Sequence, residues 1–86
     1  MSWTIKINSQ ASKYLKKVDK SVQQKIIMGI NKLKEIEDPR KIGKALQGKY
    51  VGFWRYRLGD YRIICEIQDE SITILVIKIG HRKEVY

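Results

Sequence analysis

Trp3, Ile5 and Ile7 alternate with Thr4 and Lys6, the period-two pattern of a strand with one covered face. From Ser9 the pattern becomes helical. Ala11, Tyr14, Leu15 and Val18 fall on one face and Lys13, Lys16 and Lys17 on the other, with Asn8 or Ser9 placed to cap the start. Asp19 and Ser21 then offer caps for a second helix. Val22, Ile26, Ile30 and Leu33, flanked by Ile27 and Ile36, keep helical spacing as far as Glu37. A turn this short predicts an antiparallel helix hairpin. Gly29 costs about 1 kcal/mol of helix propensity, which points to close packing against a neighbour.

The single proline, Pro39, separates this half from one with a different period. Residues 40–50 read as a basic loop with Gly43 and Gly48. Phe53–Leu58, Tyr61–Gln68 and Ile72–Ile79 then read as strands. Gly59-Asp60 is a two-residue hairpin signal, and Asp69-Glu70 turns the next corner. Gly80 to Tyr86 is expected as a short edge strand or a tail. The fold class expected is α+β: an N-terminal strand, an antiparallel helix hairpin, then an antiparallel β-meander with the helices packed on one face of the sheet. With 86 residues and 43% hydrophobic content, the chain is expected to form one domain over residues 1–86.

Charge adds the next constraint. Lys and Arg number 18 against 9 Asp and Glu, a formal net charge of +9 that points to a polyanion: nucleic acid, a ribosome or an acidic protein. Between positions 40 and 62 the basic residues are Arg40, Lys41, Lys44, Lys49, Arg55, Arg57 and Arg62, and the only acid is Asp60. Alternation puts Arg55 and Arg57 on one strand face, with Trp54, Tyr56 and Leu58 on the other. A two-residue turn pairs Leu58 with Tyr61 and Arg57 with Arg62, and directly opposed like charges destabilise a sheet. Such a cluster makes sense where an anion sits, because a guanidinium offers phosphate a planar fork. Solvation, or neutralisation by Asp60 or Glu66, is the plainer alternative. Arg40, Lys41, Lys44 and Lys49 are candidates to extend the surface toward RNA or a ribosome.

The last segment adds His81, Arg82 and Tyr86. Imidazole is the side-chain type that titrates near neutral pH, and an exposed tyrosine can stack on a base or anchor a terminus. Other chemistries lack their residues. One cysteine, Cys65, forms no intramolecular disulfide, and with His81 as the sole histidine it builds no zinc site. A Gly-rich phosphate loop and a nucleophile elbow are both missing, so no cofactor is expected. The opening strand pattern is not a signal peptide, and Ile72–Ile79 is far short of the ~20 residues that span a bilayer. The expectation is a cytoplasmic protein without a membrane partner. Attack on RNA by its own 2′-hydroxyl needs positioning, cations and a proton acceptor and donor. This chain supplies the cations readily and the proton chemistry sparsely.

The run Trp54-Arg55-Tyr56-Arg57-Leu58-Gly59-Asp60-Tyr61-Arg62-Ile63-Ile64, the preceding Leu46-Gln47-Gly48 and the ending Ile-Gly-His-Arg-Lys-Glu-Val-Tyr at 79–86 resemble the RelE/ParE toxin superfamily. The resemblance extends over essentially the whole chain, including its element order. It implies the toxin of a type II toxin–antitoxin pair, with an acidic RelB-like antitoxin as partner. In the RelE branch it implies a ribosome-dependent, metal-independent endoribonuclease that cuts mRNA in the A site. By position, Arg55, Arg57 and Arg62 match basic active-site residues of the hairpin, Arg82 a basic residue of the last segment, and Tyr86 the terminal aromatic. This chain has Arg55 and Arg57 where well-known RelE enzymes carry lysines. A guanidinium is a poor general base, so Arg55, Arg57 and Arg62 are expected to hold the phosphate charge, His81 to act as acid or base and Tyr86 to orient the nucleotide. A ParE-type toxin acting on DNA gyrase by protein contact, and a non-catalytic RNA- or ribosome-binding module, remain open alternatives.

Overall fold

The computed structural model describes residues 2–83. Strand β1 (Thr4–Ile7) leads into helices α1 (Ser9–Lys17) and α2 (Lys20–Leu33). A 3-10 turn at Pro39–Lys41, the two-residue strand β2 (Lys44–Ala45) and a second 3-10 turn at Gly48–Tyr50 follow. The chain then runs through β3 (Trp54–Leu58), β4 (Tyr61–Gln68) and β5 (Thr73–His81). These form one five-stranded sheet in the order β1-β5-β4-β3-β2. The meander pairs antiparallel, whereas β1 joins the edge parallel to β5, from Thr4 opposite Thr73 to Ile7 opposite Val76. The parallel pairing follows from the helix hairpin, which carries the chain across the sheet before the meander begins.

Asn8 starts α1, its Oδ1 accepting from the Ala11 N–H at 2.9 Å, while Lys16 and Lys17 complement the carbonyl end. Asp19 precedes α2 without a side-chain cap bond. The apolar spacing predicts α2 as far as Glu37, but the helix ends at Leu33 and tightens to i→i+3 bonds, with Ile36 N donating to Leu33 O at 3.3 Å. Trp3 N takes the Lys34 carbonyl at 2.8 Å. Ile36 still packs on the core after the helix has ended, so its place in the periodicity records burial and not helix. Residues 40–50 also differ from a plain loop. Their short β2 adds to β3, with Lys44 opposite Arg55 and Ala45 opposite Trp54.

Ala11 and Leu15 of α1 and Ile26, Ile30 and Leu33 of α2 meet Tyr56, Ile63, Cys65, Ile74, Val76 and Ile79 of the sheet in one core. Both helices therefore cover the same sheet face, and each fully buried isoleucine contributes on the order of 1.5–3 kcal/mol of transfer free energy. Burial drives the Cys65 thiol up to about 12, which leaves it an inert apolar residue. The β4–β5 ladder shifts register between Ile64 and Cys65. Cys65 faces Val76 but Ile64 faces Lys78, so Ile77 is an extra residue in β5. Strict alternation from Ile74 and Val76 would bury Lys78. The bulge instead brings Ile79 into the core, 4% exposed, and turns Lys78 to the opposite face.

Close approaches explain two glycines. The position of a Cβ on Gly29 is occupied by the Leu58 side chain. A Cβ on Gly43 would lie 2.7 Å from the Tyr56 ring, which is 3% exposed and donates its hydroxyl to the Pro39 carbonyl at 2.8 Å. Arg40 holds the outside of the same turn, reaching Asp69 between β4 and β5 through Nη1–Oδ1 at 3.0 Å and Nη2–Oδ2 at 2.6 Å.

Because Tyr56 is both packed and hydrogen-bonded, Gly43→Ala is expected to lower unfolding stability by about 1–3 kcal/mol in a urea titration. The hydrogen bond from Arg40, more than its charge, holds the Asp69 carboxyl below the usual aspartate range. That contribution is full above the ordinary aspartate pKa and is lost as pH falls through the lowered value. Asp69→Asn should therefore lower the thermal midpoint at neutral pH and narrow its difference from the parent protein below about pH 4.

Candidate phosphate-binding face

The sheet face without helices carries the cations. The hairpin turns at Gly59, whose φ of 61° suits a residue without Cβ, and the register sets Leu58 opposite Tyr61 and Arg57 opposite Arg62. Tyr56 points into the core, so its neighbours Arg55 and Arg57 point away from it. Arg62 also points outward and faces Gly80 across β5, a position with no side chain to meet it. One row across the sheet is thus Arg57, Arg62 and Gly80. The row beside it is Lys44, Arg55, Ile64 and Lys78. Ile64 is fully buried although it lies on this outer face and outside the helix-packed core.

Among the described residues, carboxylates neutralise little of this surface. Arg62 Nη1 turns back onto the carbonyls of Gly59 at 2.9 Å and Tyr61 at 3.1 Å. Arg82 joins the group where its backbone N donates to Asp60 O at 2.7 Å, with Nη1 a loose 3.8 Å from Asp60 Oδ1. The Arg62 guanidinium is pushed below its ordinary value, by desolvation first, then by Arg57, Arg55 and Arg82 in turn, with Asp60 opposing. It remains protonated at any physiological pH. Arg55 Nε is buried and has no hydrogen-bond partner among the described residues. A buried donor left without a protein acceptor on a cationic face is a place where an anion or a water can bind.

Arg55, Arg57, Arg62 and Arg82 thus form one electrostatic group, and Lys44 borders it from β2. His81 takes a different place. It is paired with Tyr61, the two rings at 5.4 Å and 84°, on the side that continues Ile63 and Ile79 and not on the arginine side. Its Nδ1 accepts from the Lys83 N–H at 3.3 Å. Arg40 is held by Asp69, away from the group, and Lys41 is exposed on the 3-10 turn beside it. Lys49 lies 5.4 Å from the centre of the Tyr50 ring. Tyr86 lies outside the described residues. The sequence pattern gave no hint of Lys78, since only the bulge in β5 brings it to this face. Among the described residues no three His, Cys, Asp or Glu side chains gather where they could hold a metal ion.

Comparison with known proteins agrees with this architecture. The family model of the ParE toxin of the type II toxin–antitoxin system, parDE, matches residues 5–86. Toxin RelG of Mycobacterium tuberculosis is 33% identical over 49 residues, covering 57% of this chain and 56% of that protein. The match therefore spans little more than half of that relative. A chain of the toxin–antitoxin complex RelBE2 from Mycobacterium tuberculosis superposes with a TM-score of 0.85 at 24% identity, over 95% of this chain and 100% of that one. A chain of the archaeal RelE–RelB complex from Pyrococcus horikoshii gives 0.73 at 26% identity, over 95% and 97%. Isolated Escherichia coli RelE gives 0.74 at 18% identity over 93% and 84%, a likeness of fold.

The opposed guanidiniums give a stability prediction. Arg57→Gln removes the like charge facing Arg62 and should raise stability by roughly 0.2–1 kcal/mol in dilute buffer. The gain should shrink when thermal unfolding is repeated in ~1 M salt, where the screening length falls to about 3 Å.

Proposed function

The chain belongs to the ParE toxin family of type II toxin–antitoxin systems, within the RelE/ParE superfamily, and within that superfamily we propose that it is a RelE-type endoribonuclease that cleaves mRNA in the ribosomal A site. The observation that supports this most strongly is the arginine face itself: Arg57 directly opposite Arg62, with the buried Arg55 Nε unpartnered among the described residues. The buried Arg55 Nε finds no acceptor among the described residues, and a bound phosphate would supply one.

In the reaction proposed, the 2′-hydroxyl of one nucleotide loses its proton and attacks the adjoining phosphorus. The 5′-oxygen of the next nucleotide leaves and takes up a proton. The products are a 2′,3′-cyclic phosphate and a free 5′-hydroxyl, so no water or redox partner is consumed. Arg55, Arg57 and Arg62 carry the negative charge that grows on the non-bridging oxygens, and Arg82 adds to their field. Proton transfer is assigned to His81, which lies beside Tyr61 on the other side of the sheet from the arginines and therefore requires the message to pass over the strand ends, and Tyr86 is assigned the orientation of the nucleotide. The ribosome supplies the in-line geometry of the message, and the place of action is the cytoplasm.

The partner proposed is an acidic, amphipathic antitoxin segment. A groove of about 790 Å³ between α2 and the outer edge of β3 suits it, with Met28, Leu33, Ile42 and Leu58 as apolar lining and Lys25 and Lys32 among its cations. β2 pairs only with Arg55 and Trp54, so among the described residues the edge of β3 from Tyr56 to Leu58 has no strand neighbour. Opposite charge should make this association fast at low salt.

Primer extension on a defined message, with translating ribosomes and in parallel on naked RNA, tests the activity. Cuts at A-site codons in the ribosome lane only are expected. Arg62→Ala should abolish them, and near-normal cleavage by that variant would remove the arginine face from the mechanism. His81→Ala should cost ~10²–10⁴-fold in single-turnover rate, and a loss below about threefold would exclude it as acid or base. ParE-type action on gyrase is the second reading, favoured by the description of the matching family model and by the pairing of His81 with Tyr61 away from the arginines. It predicts no cuts in either lane.

A further inference from the structure

The loop before β3 carries an aromatic and cationic group that the arginine face does not use. Tyr50 closes the 3-10 turn at Gly48–Tyr50, in a loop shaped by two left-handed glycines, Gly48 at φ 68° and Gly52 at φ 94°. Its ring, half-exposed, has Lys49 Nζ at 5.4 Å and Lys78 Nζ at 5.8 Å from its centre. The Lys78 ammonium also donates to the Tyr50 hydroxyl at 3.4 Å, and the Phe53 ring is tilted against it with centres 6.3 Å apart. Through the bulge in β5, Lys78 shares a cross-strand row with Arg55 and Lys44. Arg55 and Lys78 lie on strands separated only by β4, roughly 10 Å apart by the usual ladder spacing. A phenol ring set beside a row of cations matches the two parts of a single-stranded nucleotide, a flat base and an anionic phosphate.

We infer that Tyr50, with Lys78 and Lys49, forms a nucleotide subsite in which a base of single-stranded RNA stacks on the Tyr50 ring while its phosphate lies between Lys78 and Arg55. The inference rests on RNA being the substrate of the adjoining arginine face, and adds a place for a nucleotide beside the scissile phosphate. The base takes one ring face and moves the exposed Lys49 ammonium from the ring onto phosphate. Lys78 stays hydrogen-bonded to the phenol and fixes the ring plane. Stacking of this kind accepts any base, so the subsite sets position on the strand and not sequence.

The test is fluorescence anisotropy in low salt with two probes of about eight units. One is a single-stranded RNA, and the other a phosphodiester oligomer of equal charge built from tetrahydrofuran abasic units. Tyr50→Leu should weaken binding of the RNA by roughly 5- to 150-fold and leave the abasic oligomer unchanged, and Tyr50→Phe should restore RNA binding. Lys78→Gln should weaken both probes. Equal losses on the two probes for Tyr50→Leu, no loss on either, or no RNA binding by the parent protein would overturn the subsite. Tyr50→Trp separates loss of the ring from disturbance of the loop, and failure of this ring to keep binding to the RNA would also count against stacking. Ribosome-dependent cleavage is read separately. Cleavage without the base-dependent loss refutes the subsite alone, and base-dependent binding without cleavage refutes the nuclease and leaves the subsite standing.

Discussion

Two short helices can cover only one face of a five-stranded sheet, and both α1 and α2 lie on the same one. Every strand of the meander must then place one alternating set of apolar side chains on that face, because a strand shows its two sets of side chains to opposite sides. Tyr56, Ile63, Cys65, Ile74, Val76 and Ile79 meet this demand. Arg55, Arg57 and Arg62 are consequently held outward together: turning them inward would bury charge under the helices and expose the core. The same demand makes the bulge at Ile77 necessary, since without it Lys78 would enter the core and Ile79 would leave.

The outer face is therefore arranged at some expense of stability. Arg57 sits directly opposite Arg62 in the strand register, and the buried Arg55 Nε has no acceptor among the described residues. Neither feature is required by the core, and a pair of neutral residues would fold at least as well. The compensation lies elsewhere. The Tyr56 hydroxyl ties the hairpin to Pro39, Arg40 joins that turn to Asp69, and Arg82 N closes onto the Asp60 carbonyl across the hairpin tip. Strain placed on one face and secured at its margins is the pattern expected where a ligand completes the charge balance.

Family membership and the arginine face bear on different questions. The first settles what kind of protein the chain is, and a fold shared with toxins does not by itself assign a chemistry. The second concerns what the surface can bind. Four arginines that feel one another's charge give a strong phosphate field and no proton carrier, because a guanidinium stays charged throughout the physiological range. Any nuclease chemistry on this face must therefore bring its base and acid from beyond the arginines.

Much of the architecture is legible along the chain. The helix pair, the order of the three meander strands and the pairing of Arg57 with Arg62 follow from spacing and from the two-residue turn at Gly59, because those are local rules with a period of two or of one helical turn. The end of α2 at Leu33, the strand at Lys44–Ala45 and the parallel placing of β1 are not legible, since each depends on a partner distant in sequence. The sharpest divide falls within β5. The sequence by itself determined that Lys78 and His81 lie near the end of a strand, three positions apart. Only the tertiary structure decided which of them shares the arginine face. One extra residue at Ile77, inserted so that Ile79 can pack under the helices, sends Lys78 outward beside Arg55 and pairs His81 with Tyr61 on the other side. A one-residue shift exchanges the faces of a strand because its side chains repeat every second residue, and no local pattern shows where such a shift will be made.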